Sequence, residues 1–246
     1  MCGHEERSRW TVVADEESYQ WAAAASRGTM RSRILIADDH EMVRKGLRAV
    51  LESAGHEVCA EASTGREAVA LAAELSPHLS ILDVSMPDLN GLEATRKITA
   101  AQPGAEVLVL TMHDSEQMIR DVLATGARGY LLKSDLAQDL LTAVASLLQH
   151  KPYFTSKVAE LVLSGFLGQG GAVADAPDSP VGRLTPRQRE IVQLIAEGFS
   201  TKEMAARLGV SIKTVEAHRA NVMRTLRVDS VSDVVRYAIR NGIVEA

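Results

Sequence analysis

The chain has 246 residues, of which 46% are hydrophobic and 24% are charged, a balance that fits a folded globular protein and excludes wholesale disorder. No apolar run approaches the roughly 20 residues that a membrane span needs, and residues 1–29 are too acidic and too interrupted for a signal peptide. We therefore expect a cytoplasmic protein without a membrane partner. Cys2 and Cys59 have neither disulfide-framework nor zinc-ligand spacing.

The formal net charge of −5 is unevenly distributed along the chain. Residues 183–246 contain 11 Lys and Arg against 7 Asp and Glu, a net of +4, which leaves −9 for residues 1–182. A basic C-terminal part joined to an acidic body indicates that a nucleic acid partner would bind at the C-terminal end. The length also favours two separate cores over one.

Residues 1–32 show no sustained periodicity, and we expect a disordered N-terminal extension there. From residue 33 to residue 150, short apolar runs alternate with amphipathic helical stretches, which predicts an α/β domain with a five-stranded, doubly wound parallel sheet. Thr64 with Glu67 has the spacing of a capping box at the start of the second helix. The runs that predict the strands are 34–37, 58–60, 79–82, 107–110 and 130–132.

Residues 151–182 predict a linker, because a short helical stretch over 156–166 gives way to Gly-rich and then Ala/Asp/Pro-rich sequence. Beyond it, residues 183–246 predict a small all-α domain of four helices. Each helix start has cap chemistry. The caps are Thr185 with Pro186 and Gln188, Ser200 with Glu203, Ser211, and Ser230 with Asp233.

Polar side chains follow four of the five predicted strands. Asp38 and Asp39 follow the first strand, Asp83 the third, Thr111 the fourth and Lys133 the fifth. Ligands of open parallel sheets bind at the carboxyl ends of the strands, so these groups should converge. Three carboxylates in one pocket repel one another unless a hard cation such as Mg²⁺ joins them. With the metal bound, Asp83 can act as a nucleophile toward phosphorus while the hydroxyl and the ammonium hold the transferring oxygens.

The segments that carry this site resemble the receiver domain of two-component response regulators; they are 36–40 (IADDH), 82–87 (LDVSMP), 110–112 (LTM) and 132–133 (LK). The resemblance implies a flavodoxin-like fold and phosphorylation of Asp83 by a sensor histidine kinase or a small phosphodonor. It also implies that Thr111 and Tyr130 move together as a switch. The implied Mg²⁺ ligands are Asp38, Asp39, Asp83 and the main-chain carbonyl of Ser85.

A helix-turn-helix is predicted over about residues 201–226, because Gly209 separates two helical stretches by a tight turn. With Val215, Val222 and Leu226 facing inward, the outer face of the second helix is polar and mostly basic, which suits the major groove of DNA. That outer face consists of Lys213, Thr214, Ala217, His218, Asn221 and Arg224.

The C-terminal part resembles the LuxR-type helix-turn-helix in segments 184–190 (LTPRQRE), 198–203 (GFSTKE) and 211–219 (SIKTVEAHR). Together with the receiver this is similar to the NarL/FixJ class of response regulators. The resemblance implies base-edge contacts from Glu216, Ala217 and Ala220 and DNA-backbone contacts from Lys202, Thr214 and Arg224. Many members have lysine at the positions of Glu216 and Thr225, so we expect fewer phosphate contacts here, each missing contact lowering the salt slope by about 0.9.

The resemblance implies promoter DNA, RNA polymerase and, after phosphorylation, a homodimer as partners. We expect a non-enzymatic regulator, with at most self-phosphorylation from small donors and autodephosphorylation. Phosphorylation of Asp83 would control dimerisation and promoter binding, and the unphosphorylated receiver would pack against the reader helix or hold the chain monomeric.

Two alternatives remain open at the level of sequence. A phosphorylation-independent DNA-binding regulator would use an inert receiver for docking and would show no Mg²⁺-dependent phosphorylation. An aspartyl-phosphate hydrolase would use the same carboxylates and would turn over a phosphomonoester.

Overall fold

The computed structural model describes residues 31–113, 115–154 and 184–244. The predicted N-terminal extension lies outside the described residues except at its last two positions. The same is true of most of the predicted linker, including its short helix at 156–166. No helix in the described ranges has the length and apolar character needed to cross a membrane.

The N-terminal part alternates strands and helices, which confirms the predicted α/β architecture. Its strands pair in the order β2-β1-β3-β4-β5, and every pair is parallel. A 3₁₀ turn at Lys133–Asp135 joins β5 to the last helix. The elements are β1 (Arg33–Ala37), α1 (Glu41–Ser53), β2 (Glu57–Ala62), α2 (Gly65–Leu75), β3 (Leu79–Asp83), α3 (Gly91–Ala101), β4 (Glu106–Thr111), α4 (Glu116–Leu123), β5 (Gly129–Leu132) and α5 (Leu136–Leu148).

The strands are continuous apolar runs because helices cover both faces of the sheet, and successive side chains of a strand point to opposite faces. Leu35 and Val107 belong to the core that α2, α3 and α4 cover. Ile34 and Ile36 belong to the core that α1 and α5 cover. All residues of β3 and β4 are buried, so the strand ends that carry Asp83 and Thr111 are held rigidly at the centre of the sheet.

The C-terminal part consists of α6 (Pro186–Ala196), α7 (Thr201–Leu208), α8 (Ile212–Leu226) and α9 (Val231–Arg240) around a separate core. The predicted caps begin these helices: complete capping boxes form at Thr185 with Gln188 and at Ser200 with Glu203, and the side chains of Ser211 and Ser230 each accept a main-chain N–H. Gly209 ends α7 in the left-handed conformation with φ of 63°. The predicted helix-turn-helix is therefore confirmed as α7 and α8.

One predicted cap differs in detail. Thr64 accepts the main-chain N–H of Glu67 as expected. The Glu67 carboxylate, however, accepts the main-chain N–H and the hydroxyl of Ser63, one residue earlier than a capping box requires. The Thr64 hydroxyl therefore satisfies one main-chain N–H of the first turn, while the Glu67 carboxylate holds Ser63, which precedes the cap.

The start of α3 packs directly on the end of β3, and only glycine fits at the contact. A Cβ on Gly91 would lie 1.9 Å from the carbonyl oxygen of Asp83 and 2.7 Å from its carbonyl carbon. Both atoms belong to the main chain and cannot move aside as a flexible side chain could. The loop between β3 and α3 is therefore short and closely held beside Asp83.

We expect Gly91→Ala to destabilise the protein by about 3 kcal/mol, because the added methyl group must displace the main chain of Asp83. Urea unfolding followed by circular dichroism measures the effect. Gly46→Ala is the control, since Gly46 lies inside α1 with nothing within 4 Å of an added Cβ, and it should gain up to about 1 kcal/mol. A Gly91→Ala protein as stable as wild type would contradict the close contact.

Candidate functional site

The carboxyl ends of the strands bring Asp38, Asp83 and Lys133 into direct contact. The Lys133 ammonium lies 2.8 Å from Oδ2 of Asp38 and 3.0 Å from Oδ1 of Asp83. Both carboxyl groups are buried, and they come from β1 and β3, which are neighbours in the sheet. The predicted convergence of these side chains follows from the parallel pairing.

Asp39 and His40 lie beside this cluster on the exposed side. Nδ1 of His40 is 2.7 Å from a carboxylate oxygen of Asp39, and the main-chain N–H of His40 donates to Oδ1 of Asp38. Ligand atoms of Asp38, Asp39 and His40 all lie within 4.8 Å of one another. The sequence reasoning assigned no role to His40, and its position next to two carboxylates shows it to be part of the site's surroundings.

The donor set fits a hard divalent cation such as Mg²⁺. Oδ2 of Asp83 is buried and has no hydrogen-bond partner among the described residues. A buried carboxylate oxygen without a partner is costly, and Mg²⁺ prefers a small number of carboxylate oxygens while keeping several waters. Ser85, whose carbonyl is the further expected ligand, lies partly buried in the loop that follows Asp83.

Burial raises the pKa of Asp83 to about 6; the charge of Lys133 opposes this rise, and the charges of Asp38 and Asp39 add to it. Burial alone would lower the pKa of Lys133, but its hydrogen bonds and ion pairs with Asp38 and Asp83 raise it above the ordinary value. Lys133 therefore stays charged, while the ionised form of Asp83 is held in an environment that disfavours it.

The two expected switch residues, Thr111 and Tyr130, both form hydrogen bonds with the main chain of His113. Thr111 is buried at the end of β4, one position beyond Leu110, which pairs with Asp83 in the sheet. Its hydroxyl oxygen accepts the main-chain N–H of His113 at 3.1 Å. The hydroxyl of Tyr130, itself buried, donates to the main-chain carbonyl of His113 at 2.8 Å. Thr111 and Tyr130 thus both contact the short loop between β4 and α4.

The expected DNA-binding residues share one surface of the C-terminal domain. Arg219 of α8 donates to the hydroxyl of Thr201 at 3.0 Å and so fixes the two helices of the motif to each other. Arg224 donates to Oδ1 of Asn221, which orders two polar side chains on the outer face. The exposed members are Lys202, Lys213, Thr214, Glu216, Ala217, Ala220 and Arg224, and the partly exposed ones are His218 and Asn221.

Side chains of the C-terminal domain bind the main chain of the loop between β3 and α3. Gln193 of α6, fully buried, accepts the N–H of Asn90 at 2.8 Å and donates to the carbonyl of Met86 at 2.9 Å. The Glu197 carboxylate accepts the N–H of Asp88 at 3.1 and 3.2 Å. The side chain of Gln193 in α6 and that of Glu197, directly after α6, therefore satisfy three main-chain groups of the loop that follows Asp83.

Ion pairs between the domains surround these hydrogen bonds. They are Arg189 with Glu93 at 2.6 Å, Glu190 with Lys97 at 2.7 Å, Arg207 with Asp88 at 2.7 Å and, at the longer distance of 3.9 Å, Arg66 with Glu190. The polar contacts between the domains that involve described residues run through α6, Glu197 and α7, and the expectation that the receiver packs against the reader helix or holds the chain monomeric stays a prediction.

The sequence reasoning missed Gln193 and Glu190. It used the spacing of Ile191, Leu194 and Ile195 to place the inner face of α6, and these three are buried as expected. Gln193 and Glu190 are buried as well, because α6 is covered by its own domain on one side and by the receiver on the other. Helical periodicity alone does not distinguish a solvated polar face from one that docks on a second domain.

We expect Asp83→Asn to raise the free energy of unfolding at pH 7.5 in Mg²⁺-free buffer by about 2 kcal/mol. The folded protein holds the pKa of Asp83 at about 6, against the ordinary value of 3.8 for an aspartate side chain, so ionisation of Asp83 opposes folding as the pH rises through this range. The gain should shrink as the pH falls from 6 toward 4, where the folded-state carboxyl is already protonated.

Urea titrations of wild type and Asp83→Asn across this pH range test the expectation. Asp229→Asn, on an exposed position between α8 and α9, is the control and should show no such pH-dependent gain. A variant that is less stable than wild type, or equally stabilised at every pH, would contradict the account of Asp83.

Two family models match the chain. The model described as "Response regulator receiver domain" matches residues 34–145, and the one described as "Bacterial regulatory proteins, luxR family" matches residues 182–238. Oxygen regulatory protein NreC of Staphylococcus carnosus (strain TM300) is 36% identical over 215 residues, or 87% of this chain and 99% of the relative. NreC of Staphylococcus epidermidis (strain RP62A) is 38% identical over 217 residues, with the same coverage.

Solved structures agree with this relationship. RcsB from Salmonella enterica serovar Typhimurium, bound to a promoter in the presence of the phosphomimetic BeF₃⁻, is 29% identical, with a TM-score of 0.55 over 85% of this chain and 98% of that one. A LuxR-family two-component response regulator from Aurantimonas sp. is 32% identical, with a TM-score of 0.51 over 56% of this chain and 99% of that one. At 38% identity across almost the whole of a relative, and with both domains matched, the chain belongs to the DNA-binding two-component response regulators that join a receiver domain to a LuxR-type helix-turn-helix.

Proposed function

We propose that this protein regulates transcription in the cytoplasm through a phosphorylation switch at Asp83, with a sensor histidine kinase as the phosphodonor. One observation carries the proposal: the loop that begins at the buried Asp83 is the same loop whose main chain binds Gln193 and Glu197 of the DNA-binding domain. A chemical change at Asp83 therefore occurs at the end of the segment that holds the DNA-binding domain in place.

The chain's own residues suit phosphoryl transfer to a carboxylate. An oxygen of Asp83 forms the new bond to phosphorus while the bond from phosphorus to the donor's imidazole nitrogen, or to acetate in acetyl phosphate, breaks. The Lys133 ammonium, 3.0 Å from Asp83, offsets the negative charge of the transferring group, and the Thr111 hydroxyl lies on the neighbouring strand end. Mg²⁺, held by Asp38, Asp39, Asp83 and the Ser85 carbonyl, supplies further charge neutralisation when bound.

A phosphoryl group adds up to two negative charges and three strong acceptor oxygens beside the loop. The hydrogen bonds from Gln193 and Glu197 fit the loop in one conformation, so a shift of its main chain breaks them and weakens the domain contact. Thr111 would follow the new acceptor oxygens, and its hydrogen bond with His113 would carry the change toward Tyr130. Release of the domain would allow two DNA-binding domains to come together as a dimer on DNA.

The free energy of the contact between the domains is too small to account for a complete switch on its own. Three hydrogen bonds contribute about 1 kcal/mol each, and partly exposed ion pairs add less. Moving the population from 1:99 to 99:1 takes about 5.5 kcal/mol. We therefore propose that homodimerisation and promoter binding supply the remainder, with RNA polymerase as the downstream partner. The chemistry of the receiver would be confined to self-phosphorylation from small donors and autodephosphorylation.

We expect incubation with acetyl phosphate and Mg²⁺ to add one phosphoryl group to the wild-type protein and none to Asp83→Asn, since Asp83 is the buried nucleophile. Intact mass measures the modification, and a mobility shift measures DNA binding on a duplex selected from random sequence by the phosphorylated full-length protein. Phosphorylation should tighten DNA binding only in wild type and in the control variant Asp229→Asn. Absence of modification with undiminished DNA binding would make the receiver an inert docking module, and turnover of a phosphomonoester would make the protein a hydrolase.

We expect Lys213→Ala to weaken DNA binding on all sequences alike and to reduce the slope of log affinity against log salt by about 0.9, as loss of one phosphate contact does. Lys213 is exposed in the first turn of α8. Lys151→Ala, which removes an exposed positive charge between α5 and the linker, is the control and should leave the slope unchanged. A Lys213→Ala protein with the wild-type slope would remove this residue from the DNA interface.

A further inference from the structure

Arg44 of α1 reaches back to the main chain of Asp38. Its Nη1 donates to the carbonyl oxygen of Asp38 at 2.7 Å, and its Nε donates to a carboxylate oxygen of Glu61 at 3.3 Å. The arginine side chain is only 15% exposed. One guanidinium therefore joins α1, the end of β2 and the turn that carries the acidic site.

The carbonyl of Asp38 needs such a donor because it lies beyond the sheet. The pairing of β1 with β3 ends at Ala37 opposite Leu82, and the N–H of Asp38 still finds the carbonyl of Ala62 on β2. Asp38 is fully buried, and a buried main-chain carbonyl without a donor costs free energy. Arg44 supplies the donor that the next strand residue would otherwise provide.

Fixing this carbonyl also fixes the direction of the Asp38 side chain. Its Oδ1 accepts the N–H of His40 and its Oδ2 contacts the Lys133 ammonium. Both contacts require the turn after β1 to keep the shape that Arg44 holds. A planar guanidinium can serve a carbonyl and a carboxylate at fixed angles, whereas a lysine ammonium in the same place has neither the reach nor the fork geometry.

We propose that Arg44 is a positioning residue that sets the Mg²⁺ affinity of the receiver by holding Asp38 in its ligating orientation. The inference rests on the proposed function, because it concerns Mg²⁺ at the Asp83 site. It assigns to Arg44 no contact with the metal or with the phosphoryl group. Residues around a metal site that orient its ligands commonly change metal affinity by about 10- to 100-fold when they are replaced.

The neighbouring Arg48 offers a matched comparison. It donates to the same Glu61 carboxylate at 2.5 Å and also to Glu52, and it too lies on α1. Its hydrogen bonds to described residues go to these two carboxylates and not to the Asp38 main chain. Replacing Arg48 thus disturbs the same ion-pair network while leaving the donor to Asp38 in place.

The test is Mg²⁺ binding to the full-length protein by isothermal titration calorimetry, with MgCl₂ alone as the ligand. Arg44→Lys keeps the charge and should weaken Mg²⁺ binding about tenfold, Arg44→Gln should also weaken it, and Arg48→Lys should bind like wild type. Thermal melting without metal checks that each variant is folded.

Wild-type affinity in Arg44→Lys would overturn the inference, and so would tighter binding in Arg44→Gln, since that result means the arginine acts only as a repelling charge. Equal losses in Arg44→Lys and Arg48→Lys would also overturn it, because the effect would then belong to the ion-pair network. These outcomes leave the proposed function standing if wild type binds Mg²⁺ and is phosphorylated on Asp83. A wild-type protein that binds no Mg²⁺ overturns both.

Discussion

The ammonium group of Lys133 lies between two carboxylates that the fold buries at one edge of a parallel sheet. The positive charge of Lys133 favours the ionised form of Asp83, whereas the neighbouring charge of Asp38 disfavours it. Burial nevertheless raises the pKa of Asp83 to about 6, so its ionised form at neutral pH is a strained one. A cation or a bond to phosphorus would relieve that strain. Asp83 thus combines a raised pKa with a buried carboxylate oxygen that has no hydrogen-bond partner among the described residues.

The loop that follows Asp83 connects this carboxylate to the contact with the DNA-binding domain. The loop from Asp83 to Gly91 is short, and the close packing of Gly91 on the Asp83 carbonyl leaves it little room. Gln193 and Glu197 bind the loop through main-chain atoms, which are displaced whenever the backbone moves, whatever its side chains do. A contact through side chains alone would be less sensitive to such a shift. The contact between the domains therefore lies on the loop that a change at Asp83 would displace.

Much of this arrangement could be predicted from sequence because it depends on local chemistry and on one topological rule. Helix caps such as Ser200 and Ser211, the glycine turn at Gly209 and the apolar strand runs have short-range signals, and parallel pairing then places the strand-end residues together. The roles of Gln193 and Arg44 could not be predicted in the same way. Gln193 meets a loop 103 residues earlier in the chain. Arg44 lies only 6 residues after Asp38, but the turn that it completes takes its shape from the folded sheet.

The central claim is that the receiver restrains the DNA-binding domain through the surface around the loop that follows Asp83. The most direct test is the DNA affinity and the small-angle scattering of unphosphorylated Lys97→Glu, which places a negative charge where Glu190 now has a cation at 2.7 Å. The account predicts a larger radius of gyration and about tenfold tighter DNA binding, equivalent to 1.4 kcal/mol, without phosphorylation, while Lys151→Glu, with the same change of charge away from the interface, stays compact and binds weakly. A compact Lys97→Glu protein with wild-type DNA affinity would contradict the claim.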